Sequence, residues 1–216
     1  MTIIEPTQKE LQIITSFIEN DKSKLEKLLA FVSLVLQENE KHNLIGKSTI
    51  HQIWTRHIID SLQLVPYVKD SNNITDLGSG AGFPAIILGI TTENHITMIE
   101  KSPVKAKFLQ NTCQKLGLRF NVVNQTISST NINEIITKNT TLTSRAFANI
   151  YNIFLLADNC KNINKIVLLK GDNYRQEIQE CEKKNHILLK PWTSAIKKSI
   201  TNQGVIICFN KPKQQS

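Results

Sequence analysis

The sequence predicts an α/β fold: a seven-stranded, mostly parallel sheet with an antiparallel last strand, helices on both faces, and N-terminal helices ahead of it. Three observations predict it. The first 65 or so residues place apolar side chains at the three-and-four spacing of amphipathic helices. After Asn72, short β-type runs alternate with helical stretches, which calls for crossover connections and a parallel sheet. The last two β-type runs have no clear helix between them, so they should pair as a terminal antiparallel hairpin.

The elements follow in order. Thr7 and Glu10, after Pro6, have the spacing of a capping box, and Leu11, Ile14 and Ile18 continue a helical face. Leu25, Leu28, Leu29, Val32, Val35 and Leu36 mark a second helix. A third carries Trp54, His57, Ile58 and Leu62 and should end near Pro66, because proline disfavours helical geometry in the residue before it. The expected strands are 74–77, 96–100, 120–123, 142–144, 166–169, 186–189 and 205–209, with helices over 104–116, 151–160 and 174–184. The expected organisation is a single domain over residues 1–216, with residues 1–70 as a helical extension packed on it.

Composition narrows the function. The chain has 216 residues, 40% of them hydrophobic and 20% charged, which fits a globular protein and argues against disorder. No stretch approaches about 18 uninterrupted apolar residues, so no membrane span is expected. The first residues carry Glu5 and Glu10 and lack a basic, then apolar, leader; a cytoplasmic location is expected. The formal net charge is +8, which suggests a polyanionic partner, nucleic acid before a membrane surface, against the plain alternative of a lysine-rich solvated face. Cys113, Cys160, Cys181 and Cys208 have no metal-type spacing; they read as reduced, packed thiols, and no metal is expected.

The sharpest local signal is Asp76-Leu77-Gly78-Ser79-Gly80-Ala81-Gly82-Phe83-Pro84, between an expected strand and helix. Glycines there let the backbone turn tightly and approach a ligand, and open α/β sheets bind ligands beyond the carboxyl ends of their strands. The spacing is not the dinucleotide G-x-G-x-x-G, and the loop has no Gly-Lys-Ser/Thr for a P-loop. G-x-G-x-G with an Asp two residues upstream resembles motif I of the Rossmann-like class I methyltransferases. That resemblance implies S-adenosyl-L-methionine as cofactor, held by Gly78, Gly80, Gly82 and Phe83. Glu100 ends the next strand, where a carboxylate can accept hydrogen bonds from both ribose hydroxyls.

Further blocks are more specific. Asn43-Leu44, Arg56-His57-Ile58-Ile59-Asp60-Ser61, Lys105 with Phe108-Leu109, Ser144-Arg145-Ala146-Phe147-Ala148 and Leu169-Lys170-Gly171 occur in that order around the loop. Together the chain resembles the ribosomal RNA small subunit methyltransferase G family, also called glucose-inhibited division protein B, with its R-H-I-x-D-S, K-x-x-F-L, S-R-A-x-A and L-K-G patterns. The resemblance implies methylation of N7 of one guanine in 16S ribosomal RNA, free or in the small ribosomal subunit; a monomer is expected. Also expected are cofactor contacts from the main chain at Ile127 and Ser128, a catalytic Arg145 beside the cofactor, and RNA contacts at Arg56 and at Lys170, for which a solvated lysine is the plain alternative. Two places depart from the family pattern. Thr126 and Ser128 stand where an arginine and an acid are usual, and Ala85 follows the loop proline where glycine is usual.

The chemistry is consistent with the missing catalytic dyad. Methyl transfer from a sulfonium is an in-line displacement with a good neutral leaving group, so positioning is the enzyme's main task. Guanine N7 offers a lone pair and no proton, so no general base is needed. There is no N/D-P-P-Y/F motif after the fourth strand, which amine methylation commonly uses, and no Pro-Cys for cytosine C5. Arg145 can hold the methionine carboxylate, a phosphate or a guanine edge, or only a structural ion pair. Arg56, His57 and Asp60 lie one helical turn apart and can form a structural network. Two other readings compete: a class I methyltransferase for another RNA, a protein or a small molecule, and a non-enzymatic RNA-binding protein.

Overall fold

A computed structural model describes residues 4–136, 138–185, 189 and 191–211. Its strands are β1 (Asn73–Leu77), β2 (His95–Ile99), β3 (Asn121–Val123), β4 (Thr140–Arg145), β5 (Ile163–Lys170), β6 (Thr193–Lys198) and β7 (Val205–Asn210). They form one sheet in the order β3-β2-β1-β4-β5-β7-β6. The first five are parallel to one another, and β7 runs antiparallel between β5 and β6. The chain winds outward from β1 to β3, then returns to β4 on the other side of β1. That reversal, between the ends of β1 and β4, is where such sheets open a crevice for ligands.

The sixth strand differs from expectation. The 186–189 run lies outside the described residues except for Leu189, and β6 forms from the next segment instead. Every residue of β6 is exposed, so it has no buried face and no apolar alternation to announce it. It is one of the two sheet edges, and Lys197 and Lys198 give it the charge that edges need against unwanted pairing. The expected terminal antiparallel hairpin is formed by β6 and β7.

The main helices are α1 (Gln8–Phe17), α2 (Lys22–Asn39), α3 (Ala85–Thr91), α4 (Pro103–Leu116), α5 (Ile150–Asp158) and α6 (Tyr174–Asn185). The capping box at α1 is present: the Glu10 amide donates to Thr7 Oγ1 and the Thr7 amide to the Glu10 carboxylate. The third helix is not the single element the spacing predicts. It is a 3₁₀ stretch (Lys47–Gln52), a widened π turn (Trp54–Ile59) and a short α turn (Asp60–Leu62). Pro66 then starts the next short helix, Val65–Val68, where its missing N–H costs no intrahelical bond.

Two apolar layers cover the sheet. Along β5, Val167 joins one and Ile166 and Leu168 the other, as strand alternation requires. The first layer holds Ile14, Phe31, Val35, Trp54 and Ile58 with α3 and α4; the second holds Ile150, Phe154, Cys181 and Trp192. The N-terminal segments are also tied by polar contacts. Trp54 Nε1 donates to the Ile4 carbonyl at 2.7 Å, and Lys24 Nζ to the Thr91 carbonyl at 3.3 Å.

Candidate active site

The glycine loop leaves β1 and turns back on itself. Gly78, Gly80 and Gly82 have φ of 67°, 54° and 96°, the left-handed region that side chains other than glycine resist. Their surroundings differ. A Cβ on Gly78 would lie 2.6 Å from the Phe147 ring, and one on Gly82 2.5 Å from Ile86. At Gly80 the nearest atom would be the Gly78 carbonyl at 3.8 Å, so only Gly80 borders open space.

Glu100, the residue just after β2, reaches this loop. One carboxylate oxygen accepts the Gly80 amide and the other the Ser102 amide, each at 2.8 Å. Asp76 lies beneath, fully buried. Its Oδ1 accepts the Thr143 hydroxyl at 2.9 Å, and its Oδ2 has no partner among the described residues. Burial pushes the Asp76 carboxyl up to about 7 against these hydrogen bonds, with the nearby Glu100 charge adding to the rise. A buried carboxylate oxygen without a donor is costly, so this one suits a cationic donor entering the loop.

The other expected cofactor residues are less open. Phe83 is buried between the rings of Phe31 and His57, with centroids 5.1 and 4.9 Å away, so its side chain supports the loop from behind. Ile127 is buried. The Ser128 amide donates to Asn131 Oδ1 at 2.9 Å, so the polar groups of this turn are satisfied within it.

A second recess, a cleft of about 790 Å³, opens beyond β4 and β5. Arg56, Asp60, Arg145, Phe147, Lys170 and Gly204 are among its walls. Arg145 ends β4, and Ala146 takes φ 58°, a strained conformation for a residue with a Cβ. The chain there folds back so that Phe147 rests on Gly78, and the loop and the cleft meet at this contact.

Arg145 Nη1 donates to His57 Nδ1 at 2.7 Å, and His57 Nε2 lies 2.9 Å from the Thr49 hydroxyl. Burial, then the charges of Arg145 and Arg56, push His57 down to about 3, so the ring is neutral. Asp60 accepts from Thr201 at 2.7 Å, Gln63 at 3.1 Å and Ser199 at 3.4 Å, while Arg56 Nη1 stands 3.9 Å away. Burial raises the Asp60 carboxyl, opposed by Thr201 and the two arginines. Lys170 lines the cleft but is held: its Nζ donates to the Ala148 carbonyl at 2.6 Å and pairs with Glu177 at 2.7 Å. The same Glu177 oxygen accepts the first amide of α5, from Ile150.

Of the expected residues, the fold therefore brings Gly78, Gly80 and Glu100 together at the loop, and Arg56, Arg145 and Lys170 together at the cleft. Sequence reasoning missed Thr49, Gln63, Ser199 and Thr201. Nothing local marks them; Thr201 meets Asp60 across 141 positions of chain.

The family described as rRNA small subunit methyltransferase G matches residues 24–204. The chain belongs to the rRNA small subunit methyltransferase G family. A ribosomal RNA small subunit methyltransferase G from Rickettsia bellii (strain OSU 85-389) is 40% identical over 161 residues, 74% of this chain and 81% of the relative. That of Rickettsia rickettsii (strain Sheila Smith) is 37% identical over 168 residues, 77% and 85% of the two chains. A Streptococcus mutans protein solved in complex with SAH shares the fold alone: TM-score 0.51, 8% identity, 69% of this chain and 93% of that one. In this rRNA small subunit methyltransferase G member, the R-H-I-x-D-S and S-R-A-x-A blocks meet at the hydrogen bond between His57 and Arg145.

Proposed function

We propose that this chain methylates N7 of a specific guanine in 16S ribosomal RNA, using S-adenosyl-L-methionine. The observation that carries the reading is the contact of Phe147 with Gly78, which sets a cleft large enough for a nucleotide directly beside the glycine loop. Family membership supplies the substrate.

The loop fits the cofactor. Gly80 borders open space, Asp76 Oδ2 lacks a donor, and Glu100 keeps lone pairs free for ribose hydroxyls. Gly78, Gly80, Gly82 and Glu100 would hold it, with the main chain at Ile127 and Ser128 on the adenine side and Phe83 behind the loop. When bound, it supplies a methyl group on a positively charged sulfur.

The chain's residues orient the target. Arg145, anchored through one nitrogen, has further N–H donors for the acceptor edge or phosphate of the target nucleotide. Arg56, half-exposed at the rim, adds a second positive charge toward phosphate. Lys170 acts through Glu177, fixing the wall formed by α5 and α6. No group needs to take a proton from N7, so the chemical step should vary little with pH near neutrality. In this reading the protein works as a cytoplasmic monomer without metal, on 16S ribosomal RNA or the small subunit.

The test is to methylate ribosomal RNA with tritiated cofactor and treat it with borohydride and aniline, which cleave at N7-methylguanine. Cleavage at one labelled guanine is expected, and RNA binding should weaken steeply with added salt. Label on another base, or no cleavage, refutes the reading.

A further inference from the structure

We infer that His57 is the positioning residue for Arg145: a neutral imidazole that fixes the guanidinium in the cleft without cancelling its charge. The inference rests on the role proposed for Arg145.

The direction of the hydrogen bonds carries it. The Thr49 hydroxyl donates to the Gly46 carbonyl at 2.9 Å, so its oxygen is left to accept from His57 Nε2. The ring proton therefore sits on Nε2, and Nδ1 presents a bare lone pair. Arg145, which only donates, fills it at 2.7 Å. The chain runs one way, from Arg145 through His57 and Thr49 to Gly46.

The charged neighbours leave this task to His57. Arg145 approaches from β4, Arg56 and Asp60 from His57's own segment, and both arginines disfavour a charged ring. Asp60 forms no ion pair with Arg145 within 4 Å among the described residues, although its charge favours the guanidinium from beyond contact; its hydrogen bonds come from Thr201, Gln63 and Ser199. A carboxylate in the place of His57 would hold the guanidinium equally well but neutralise it before an anionic or electron-rich ligand arrived. Without any acceptor, the long side chain would lose energy in being ordered at each encounter.

His57 also touches the loop. Its ring lies 4.9 Å from the Phe83 ring, so one side chain packs on the glycine loop and holds the cation of the cleft. It thereby sets the register between the two recesses. The widened turn Trp54–Ile59, an irregularity often found at functional sites, carries it there.

The experiment compares His57→Asn, which can accept near the Nδ1 position, His57→Asp, which accepts but adds negative charge, and His57→Leu, which only packs. For RNA methylation, kcat/KM should fall roughly tenfold to a hundredfold in His57→Leu and His57→Asp. His57→Asn should restore it to within about threefold of the unmodified protein, and Thr49→Val should cost several-fold. Cofactor affinity, measured by calorimetry, should stay within about threefold in Thr49→Val, and in the His57 variants, which also lose the ring packed on Phe83, it should fall less than kcat/KM for RNA. Nitrogen-15 NMR of the unmodified protein should find the ring proton on Nε2, with the ring neutral across pH 5–9, on the order of the range expected for so depressed a group.

A proton on Nδ1 would overturn the inference whether or not the variants fold. So would folded His57→Leu with unchanged kcat/KM while Arg145→Ala is inactive. If Arg145→Ala itself keeps its turnover, the role proposed for Arg145 fails, and this inference fails with it.

Discussion

The glycine loop after β1 and the cleft beyond β4 and β5 touch through Phe147, yet they are built in opposite ways. The loop is main chain: three glycines in left-handed conformations within one short run, tied down by the Ile99 carbonyl, which accepts the Gly78 and Ser79 amides, and by the Glu100 carboxylate. The cleft is side chain and charge, gathered from the Arg56–Asp60 segment, the end of β4, the end of β5 with α6, and the turn before β7. A recess made of backbone gains its shape from local conformational rules, and it tolerates little change at a few fixed positions. A recess made of assembled charges depends on who holds each group in place, and its tolerance lies in the holders.

The largest effect should therefore come from the backbone. Gly80→Val puts a branched side chain at φ 54° and into the only open space of the three glycines. The strain alone is on the order of 1–3 kcal/mol, and the ligand's space is filled as well. Cofactor binding should weaken by roughly a hundredfold or more by calorimetry. Near-normal affinity would show that the loop does not face the cofactor. Arg145→Lys probes the other recess. It keeps the charge and loses the fork, so kcat/KM for RNA should fall by roughly tenfold with cofactor affinity little changed. An equal loss of cofactor affinity would erase the division between the two recesses and assign Arg145 to the methionine carboxylate.

The smallest effect concerns stability, where the two regions should respond to pH in opposite senses. Asp76 has a folded value of about 7, above its ordinary 3.8. Its contribution is fully present below about pH 3.8 and is lost as pH rises through 7. His57 has a folded value of about 3, below its ordinary 6.5. Its contribution is present above about pH 6.5 and is lost as pH falls toward 3. Without ligand, Asp76→Asn should raise Tm relative to the unmodified protein at pH 8, and His57→Asn should raise it at pH 4, by a few degrees each. Thermal melts across that range decide it; parallel shifts in both variants at both pH values would contradict the assignment.

The same contrast explains what could be read from the chain. The loop, the capping box at Thr7 and Glu10, and six of the seven strands follow from residues close together, where spacing and glycine geometry act directly. The segment from 54 to 62 is less legible, because Trp54, Ile58 and Leu62 fit a regular helix as well as a widened one. Strand β6 has no buried face, so no periodicity records it. At the cleft, Arg145 and Lys170 were legible as charged strand ends, but their partners were not. The sequence offers Lys170 as an RNA contact, yet α6 brings Glu177 to it, and Arg145 acquires a neutral holder 88 positions away. Pairings of that kind are decided by topology, which family pattern reports and local pattern does not.

The hydrogen bonds from Ser199 and Thr201 to Asp60, with the Ile200 amide on Gln63, join an early helical turn to the last hairpin. During synthesis, the loop and its carboxylate emerge from the ribosome well before that hairpin does. A nascent chain thus carries the glycine loop and Glu100 before it carries Ser199 and Thr201, two of the donors to Asp60. The target recess takes one wall from residues translated after the loop, so a chain that already carries the loop does not yet carry the whole cleft.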